Sequence, residues 1–441
     1  MNFKKMSIII SLVLIMFMSA IETSIVSLAL PTIRDDLNAM LPISLVFTVY
    51  FIGIVIVIPL LSELMSRMKV IYVTIAGLVL FIGGSLLSGL SPNFEVLIIA
   101  RFIQGIGAGV NMPLAQIIPK LAFEIPFRYK VMGIVGSVWG ISSILGPFLG
   151  GFILEVATWH WLFYINVPIG FIAFVFVLYS YHFENEKIVR QKVDYKGLSL
   201  FYVLVLLLIG AMVMPISLYV SLIGMILVFV CSVVLLKISR HQDSPFLPIR
   251  EFQPKIVRAF FTDFFVAFVL IGFNVFVPTY LQDYLHLSPL QSGLIVFPLT
   301  FAWLVINFTL DKIEAKLSTK GIYLLAFVIL LVGSLSMFIG ASRITVIAVV
   351  MFAAGLSFGM LYTKDSIVVQ ESASQSHMKK MMSLFTLTRN MGNATGSAVV
   401  GMIYTWQVSF TSWPIQNVMA TSMIVVLMLT FIWSLSNKNE M

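Results

Sequence analysis

The chain has 441 residues, and 27 Lys and Arg with 19 Asp and Glu make only 10% of it charged, while 60% is apolar and Phe alone occurs 37 times. With a mean hydropathy of +1.04, this is more apolar side chain than a water-soluble globule can hide. An all-α polytopic membrane protein is predicted; disorder, nucleic-acid binding and a secreted disulfide scaffold are excluded, since the single Cys231 can form no internal bridge.

Apolar runs of roughly 18–25 residues are long enough to cross ~30 Å of hydrocarbon as helices. Fourteen are read in chain order, at about 6–30, 43–64, 70–90, 94–119, 129–153, 161–181, 198–213, 216–236, 258–282, 290–309, 321–340, 344–363, 381–405 and 415–436. Transmembrane strands would alternate polar and apolar residues, and these runs do not. The seventh run is short and ends at Pro215, so 198–236 reads either as two thin spans or as one re-entrant hairpin. Residues Met1–Lys5 before the first run resemble a secretory leader. That run is too long, carries Glu22 and lacks a small-residue cleavage site, so a retained first helix is expected.

Basic residues test the map. With the N-terminus in the cytoplasm, alternate loops put 23 of the 27 Lys and Arg on the inner side, among them Lys4, Lys5, Arg67, Lys120, Arg128, Lys187, Arg190, Lys192, Lys380 and Lys438. Only Arg34 and Arg343 fall outside, and Arg101 and Arg389 lie within spans. This is the asymmetry that the positive-inside rule demands. It accounts for the net charge of +8 as topology, and both termini are expected to be cytoplasmic. No connection exceeds about twenty residues, and none carries the Gly-rich phosphate loop that ATP binding needs. No cofactor is expected, and the energy source is an ion gradient. The spans divide as six, two and six: a first six-helix bundle over 1–181, linkers with two inserted helices over 182–257, and a second bundle over 258–441.

Two spans carry dense motifs. The fourth holds Arg101-Phe-Ile-Gln104-Gly105-Ile-Gly107-Ala-Gly109, in which the glycines let neighbouring helices approach closely. An arginine in hydrocarbon costs at least ~2.5 kcal/mol on insertion scales, so Arg101 needs a partner or a wet cavity. The fifth holds Gly140-Ile-Ser-Ser-Ile-Leu-Gly146-Pro147-Phe-Leu-Gly150-Gly151. Its proline removes one backbone bond among four glycines, which predicts a kinked, tightly packed helix.

These two runs resemble signature motifs of proton-coupled drug exporters in the major facilitator superfamily, the second being the antiporter motif. Glu22-Thr-Ser-Ile-Val-Ser-Leu-Ala-Leu-Pro31, Trp159-His-Trp161-Leu-Phe-Tyr-Ile-Asn166, Tyr280-Leu-Gln282 with Ser288 to Gly293, and Arg389-Asn-Met-Gly392-Asn-Ala-Thr-Gly396 resemble the fourteen-span branch of drug:proton antiporters. The resemblance implies two six-helix bundles plus two extra helices, and alternating access around a site between the bundles. It departs at the inner loop between spans two and three, which reads Pro59-Leu-Leu61-Ser62-Glu63-Leu64-Met-Ser66-Arg67-Met-Lys69. There Glu63 and Arg67 keep an acid and a base of the latch that this loop forms in the family, while its leading Gly, first Arg and inner Gly are replaced. The usual first-span Asp is Glu22.

Two acids lie deep in spans, Glu22 and Asp263. Glu22 is about eight residues, or ~12 Å, below the outer end of its span. On an ideal helix Asn274 lies within ~20° of the Asp263 face, along with Ala267 and Leu270. Glu155 and Asp365 lie nearer span edges and are expected to be solvated. The alternatives for the two deep acids are a permanent tie to Arg101 or Arg389, or a proton-exchanging role. Withdrawal from water favours the neutral form of a carboxyl group, and an intramembrane acid is by default a site hypothesis. Proton and cation competing for one such charge would be antiport, with Arg101 modulating the energy of the change.

Tyr50, Trp139, Phe264 and Trp303, with Gln104, Asn274, Arg389 and Asn390, are the cavity candidates. Aromatic faces attract cations, and Met accommodates varied shapes. The expected function is export of lipophilic cationic or neutral drugs and dyes from a bacterial cytoplasm in exchange for protons, by a monomer in contact with membrane lipids. A dedicated exporter of an endogenous metabolite or lipid, and a non-transporting membrane sensor or scaffold, are the rivals. A membrane enzyme is disfavoured, since no His pair, metal-ligand cluster or activated nucleophile occurs in the spans.

Overall fold

The computed structural model describes residues 3–124, 127–183, 194–213, 218–241, 247–374, 378–406 and 411–435. Parts of the predicted 182–257 linker, Pro215, and Lys187, Arg190, Lys192 and Lys438 of the charge map lie outside them. The described chain is helical throughout. In chain order the helices are α1 Phe3–Asp36, α2 Leu45–Arg67, α3 Val70–Gly89, α4 Phe94–Ala122 and α5 Phe127–Val156. Then come α6 Trp161–Ser180, broken by a turn at Ile165, α7 Tyr195–Val213 and α8 Leu218–Arg240. They are followed by α9 Pro254–Asp283, α10 Pro289–Asn307, α11 Thr319–Ile339, α12 Ile344–Ser372, α13 Met378–Thr405 and α14 Pro414–Ser434.

Local chemistry sets several starts. Asn93 accepts from the Val96 amide at 3.0 Å to begin α4. Ser288 and Gln291 satisfy each other's amides at 3.2 and 3.0 Å, and Pro289 occupies the first turn of α10. These pairings occupy amides that a helix start leaves without partners.

Among the described residues, ten helices are long and apolar enough to cross a bilayer, or eleven if the two arms of α5 form one span. The predicted count of fourteen therefore reduces to ten or eleven on this measure. The three runs that drop out, 198–213, 216–236 and 381–405, are nonetheless helical, as α7, α8 and α13. The sequence of α13 is interrupted by Thr386, Thr388, Arg389, Asn390, Asn393 and Thr395, which lowers its apolar content. α7 and α8 pack on each other, and α7 also rests on α2 and α13, where the Tyr202 hydroxyl donates to the Ile56 carbonyl at 2.8 Å.

The larger helices form two groups. α1 to α6 pack mainly with one another, and so do α9 to α14. Two main seams join them, α5 on α10 and α2 on α13, and α1 also meets α9 and α10. The fourth-span glycines act as predicted by spacing: a side chain on Gly105 would strike the Tyr50 carbonyl, and one on Gly107 the Phe81 backbone, so α2 and α3 both lie directly on α4. α5 bends by 43° between Ser142 and Leu145, just before Pro147. A difference from sequence expectation lies in α9, where Gly272–Phe276 form a π-helical turn. This extra residue per turn resets the face beyond it, so the ideal-helix alignment of Asp263 with Asn274 does not carry through.

Candidate functional site

The first polar centre is built where α1, α2, α3, α4 and α6 meet. Arg101 is completely buried and Glu22 1% exposed. The Arg101 guanidinium donates through Nη1 to Glu22 Oε1 and, at 2.6 Å, to Gln104 Oε1, and through Nε to the Val46 carbonyl at 3.1 Å. Asn166 Nδ2 donates to the second Glu22 oxygen at 2.8 Å, and Gln104 Nε2 donates to Ser85 Oγ at 2.8 Å. The Tyr50 ring lies 4.4 Å from the guanidinium carbon, an attractive cation–π contact. Arg101 Nη2 and the Tyr50 hydroxyl are buried without a hydrogen-bond partner. Asn166 stood in a motif read from sequence, but no role for it was legible there.

The second centre joins α9, α11, α12 and α13. Arg389 donates to Asp263 Oδ1 through Nε at 3.0 Å and through Nη2 at 2.7 Å. Asp263 is fully buried, whereas the Arg389 side chain is 32% exposed. The same guanidinium lies over the Tyr362 ring, its carbon 4.3 Å from the ring centre. Asp365, expected at a solvated edge, is instead fully buried. The reason is that α12 runs on to Ser372, nine residues past the end of the predicted span at 363, and remains packed among neighbouring helices. Glu155, by contrast, is exposed, and accepts from the Ser288 hydroxyl at 3.0 Å.

Both deep acids thus hold a base in this state. Burying two charges gains little unless further hydrogen bonds satisfy them, and at the first centre Asn166 and Gln104 supply these.

Between the helix groups lies a cavity of about 2330 Å³. Of the residues named from sequence, Tyr50, Trp139, Asn274, Trp303, Arg389 and Asn390 line it. Gln104 and Phe264 do not. Gln104 is completely buried in the Arg101 network, and the Phe264 backbone packs against Gly392 instead. Nor do Glu22 and Asp263 face the cavity; of the four intramembrane charges read from sequence, Arg389 alone reaches it. Trp303 and Tyr362 stack at 5.0 Å on its wall.

The cavity extends to the end of the molecule that carries Lys120, Arg128, Asp194, Arg240 and Lys380. At the opposite end the helix groups are tied together. Arg34 donates to both oxygens of Asp283 at 2.7 and 2.9 Å, Gln282 donates to the Leu28 carbonyl at 3.0 Å, and Thr48 and Ser397 share a hydrogen bond of 2.7 Å. At the open end Glu63 and Arg67 pair with each other one helical turn apart, and Arg67 also donates to the Tyr195 hydroxyl at 2.7 Å. Arg67 is thereby engaged with its own helix and with α7.

The antiporter-type motif lies on both seams of α5. Gly146 and Gly150 face α1 at Ser24 and Ile25, while Gly140 and Gly151 face α10 at Leu304 and Leu290. The Pro147 carbonyl lies 2.6 Å from where a side chain on Gly293 would begin.

Comparison with known proteins gives consistent matches. The Major Facilitator Superfamily description matches residues 12–195 and 195–397. The multidrug efflux pump SdrM of Staphylococcus aureus (strain N315) is 53% identical over 441 residues, covering 100% of this chain and 99% of that protein. The multidrug transporter protein MdtP of Bacillus subtilis (strain 168) is 27% identical, over 91% of this chain and 75% of its own. Among solved structures, the peptide transporter POT in complex with sulfate superposes with a TM-score of 0.72 at 12% identity, covering 98% of this chain and 95% of that one, a likeness of fold.

Proposed function

The chain belongs to the major facilitator superfamily, and from that premise we propose that it is a drug:proton antiporter that empties its central cavity by alternating access. It is a transporter rather than an enzyme, and a multi-pass protein of the bacterial plasma membrane. Its substrates are lipophilic cationic or neutral drugs and dyes, in keeping with the name of the 53% identical relative. No cofactor takes part; protons moving down their gradient supply the energy, and the working unit is a lipid-embedded monomer. Helices α7, α8 and α13 complete fourteen spans with both termini in the cytoplasm. The boundaries are then a bundle over 1–181, an inserted pair within 182–257 and a bundle over 258–441.

The carrying observation is the pair of buried acid–base contacts, Glu22 with Arg101 and Asp263 with Arg389, set one in each helix group beside the cavity. On this reading the basic end is cytoplasmic, and the structure is the inward-open state. A proton that neutralises Glu22 or Asp263 frees its arginine to find another partner, and the contacts around that arginine change with it. Arg101 transmits such a change directly to α2, through the Val46 carbonyl and Tyr50. Arg389 transmits it to the cavity wall through Tyr362. One pH unit supplies about 1.4 kcal/mol per proton, and 100 mV adds about 2.3 kcal/mol per charge moved.

The test is dye transport in everted vesicles as pH is varied. Asp263→Asn should abolish pH-driven transport while the protein remains folded, because Arg389 is partly exposed and can be solvated without its partner. Undiminished transport in that variant rejects the reading.

One observation favours a second reading. The intramembrane charge that reaches the cavity is the Arg389 guanidinium and not a carboxylate, as suits an exporter of an endogenous amphiphilic anion such as a lipid. Competition of dye binding by anionic amphiphiles, in preference to cationic dyes, would select that alternative.

A further inference from the structure

A third acid is sequestered among the membrane helices. Asp365 is fully buried on α12; its Oδ1 accepts from the Tyr323 hydroxyl at 2.6 Å, and its Oδ2 has no partner. No base pairs with it among the described residues. Lys364, beside it in the chain, turns away to Glu314 at 2.8 Å. Arg389, the nearby guanidinium, is held by Asp263 through two nitrogens and stacks on Tyr362. The charged and titratable groups around Asp365 are therefore Asp263 on α9, Tyr323 on α11, Tyr362 and the paired Lys364 on α12, and Arg389 on α13, with Glu314 beyond the end of α10.

Two carboxyl groups thus stand against one available guanidinium: Asp263 holds Arg389, and Asp365 lies three residues along α12 from Tyr362, on which that guanidinium rests. If both were ionised, this dry pocket would hold one uncompensated negative charge, at a cost that proteins avoid by taking up a proton. The partnerless oxygen marks which acid takes it. An ionised carboxylate seeks donors on both oxygens, and Asp365 has one donor where Asp263 has two nitrogens of a guanidinium.

We propose that Asp365 is a proton-binding site of the transport cycle, neutral while Arg389 is held by Asp263 and ionised when Arg389 is shared between the two acids. This rests on the proton-coupled reading above. On release, the O–H bond at Oδ2 breaks, both electrons remain on the oxygen, and the proton passes to water in the cavity. The flanking residues Tyr362 and Ser366 line that cavity. The combined charge of Asp263, Asp365 and Arg389 falls from zero to minus one, and a cationic substrate can offset the difference. Reloading from the other side of the membrane reverses the step.

Infrared difference spectroscopy of the purified full-length protein, between acid and alkaline buffers, tests the site. The wild type should show a carboxylic-acid C=O band that is absent in Asp365→Asn and that needs more acid buffer to appear in Asp263→Asn, where Arg389 is free to pair with Asp365. The band should shift in Tyr323→Phe, which removes the donor to that carboxyl while keeping the acid. Glu22 and Asp263 contribute bands of their own, so a spectrum of Asp365→Asn from which no band has been lost overturns the proposal. Should that variant not fold, an unshifted band in Tyr323→Phe overturns it equally. In proteoliposomes, Asp365→Asn should lose pH-driven dye accumulation, and wild-type accumulation there would also overturn the assignment. Failure of the wild type to couple dye movement to pH refutes the antiport reading instead, while the origin of the infrared band is decided separately.

Discussion

The tie between Arg34 and Asp283 gives the sharpest mechanical prediction. It joins the end of α1 to the end of α9 across the two helix groups, with two hydrogen bonds of 2.7 and 2.9 Å. Arg34 is 36% exposed and Asp283 15%, so the pair is only partly screened by water. Fully exposed pairs contribute about 0.2–1 kcal/mol, and hydrogen bonds to charged groups about 1.5–3 kcal/mol. A contribution of ~1–2 kcal/mol to closure of this end lies between those limits and corresponds to roughly a 5- to 30-fold shift between states. Asp283→Asn keeps the shape of the side chain and removes the charge, leaving Arg34 with the more exposed Asp35. The single native cysteine, Cys231, permits a clean assay. In a Cys231→Ser background, Ser27→Cys places a thiol on α1 inside this end, where the native Ser27 is 3% exposed. Its labelling by a water-soluble maleimide should accelerate by about 5- to 30-fold in Asp283→Asn, in proportion to the population opened. Arg34→Gln should do the same, and the double variant should add little more, because both remove one shared interaction. Labelling rates unchanged in both single variants would refute the assignment of this pair as a closure contact.

Other variants examine the seams, the first centre and the cavity. Gly151→Ala would put a Cβ 2.5 Å from Leu290 Cα, so a loss of about 1–3 kcal/mol, read as a lower Tm with impaired transport, is expected. Gly136→Ala, with open space around it, should leave both unchanged. Glu22→Gln leaves the Arg101 charge buried without its counter-ion and should cost about 3–5 kcal/mol in thermal unfolding, most of it recovered when Arg101→Met is added. Trp303→Ala removes the outer plate of the stack with Tyr362. Fluorescence titration should then show dye affinity weakened by roughly 3- to 10-fold, in line with the ~0.5–1.5 kcal/mol that an aromatic pair contributes.

The sequence carried the helices because membrane burial demands long apolar runs, and the motifs of α4 and α5 because bare backbone and proline leave an unmistakable pattern. Glu22 and Arg101 could be singled out by the cost of charge in hydrocarbon, although their mutual contact could not. Asp365 was illegible for a definite reason. Hydropathy marks where apolar residues end, and α12 continues past that point with polar residues that other helices cover. The π-helical turn of α9 was equally hidden. One extra residue in a turn leaves no mark in composition, yet it separates Asn274, which lines the cavity, from Asp263, which does not. Gln104 lies in the Arg101 network and not on the cavity wall, because a polar side chain in a span can face either water or a buried ion, and spacing does not distinguish them.

Gly151 on Leu290 and Pro147 on Gly293 put α5 and α10 in contact main chain to main chain. Side chains meshed like gear teeth would have to unthread before either helix could roll. Here little stands proud of the surfaces, so the two rods can slide past each other with few rotamers to reset. The same smoothness makes the joint intolerant: a single added methyl group on Gly151 acts as a stop to the swing of the bundles, although what it meets is Leu290 and not an ionisable group.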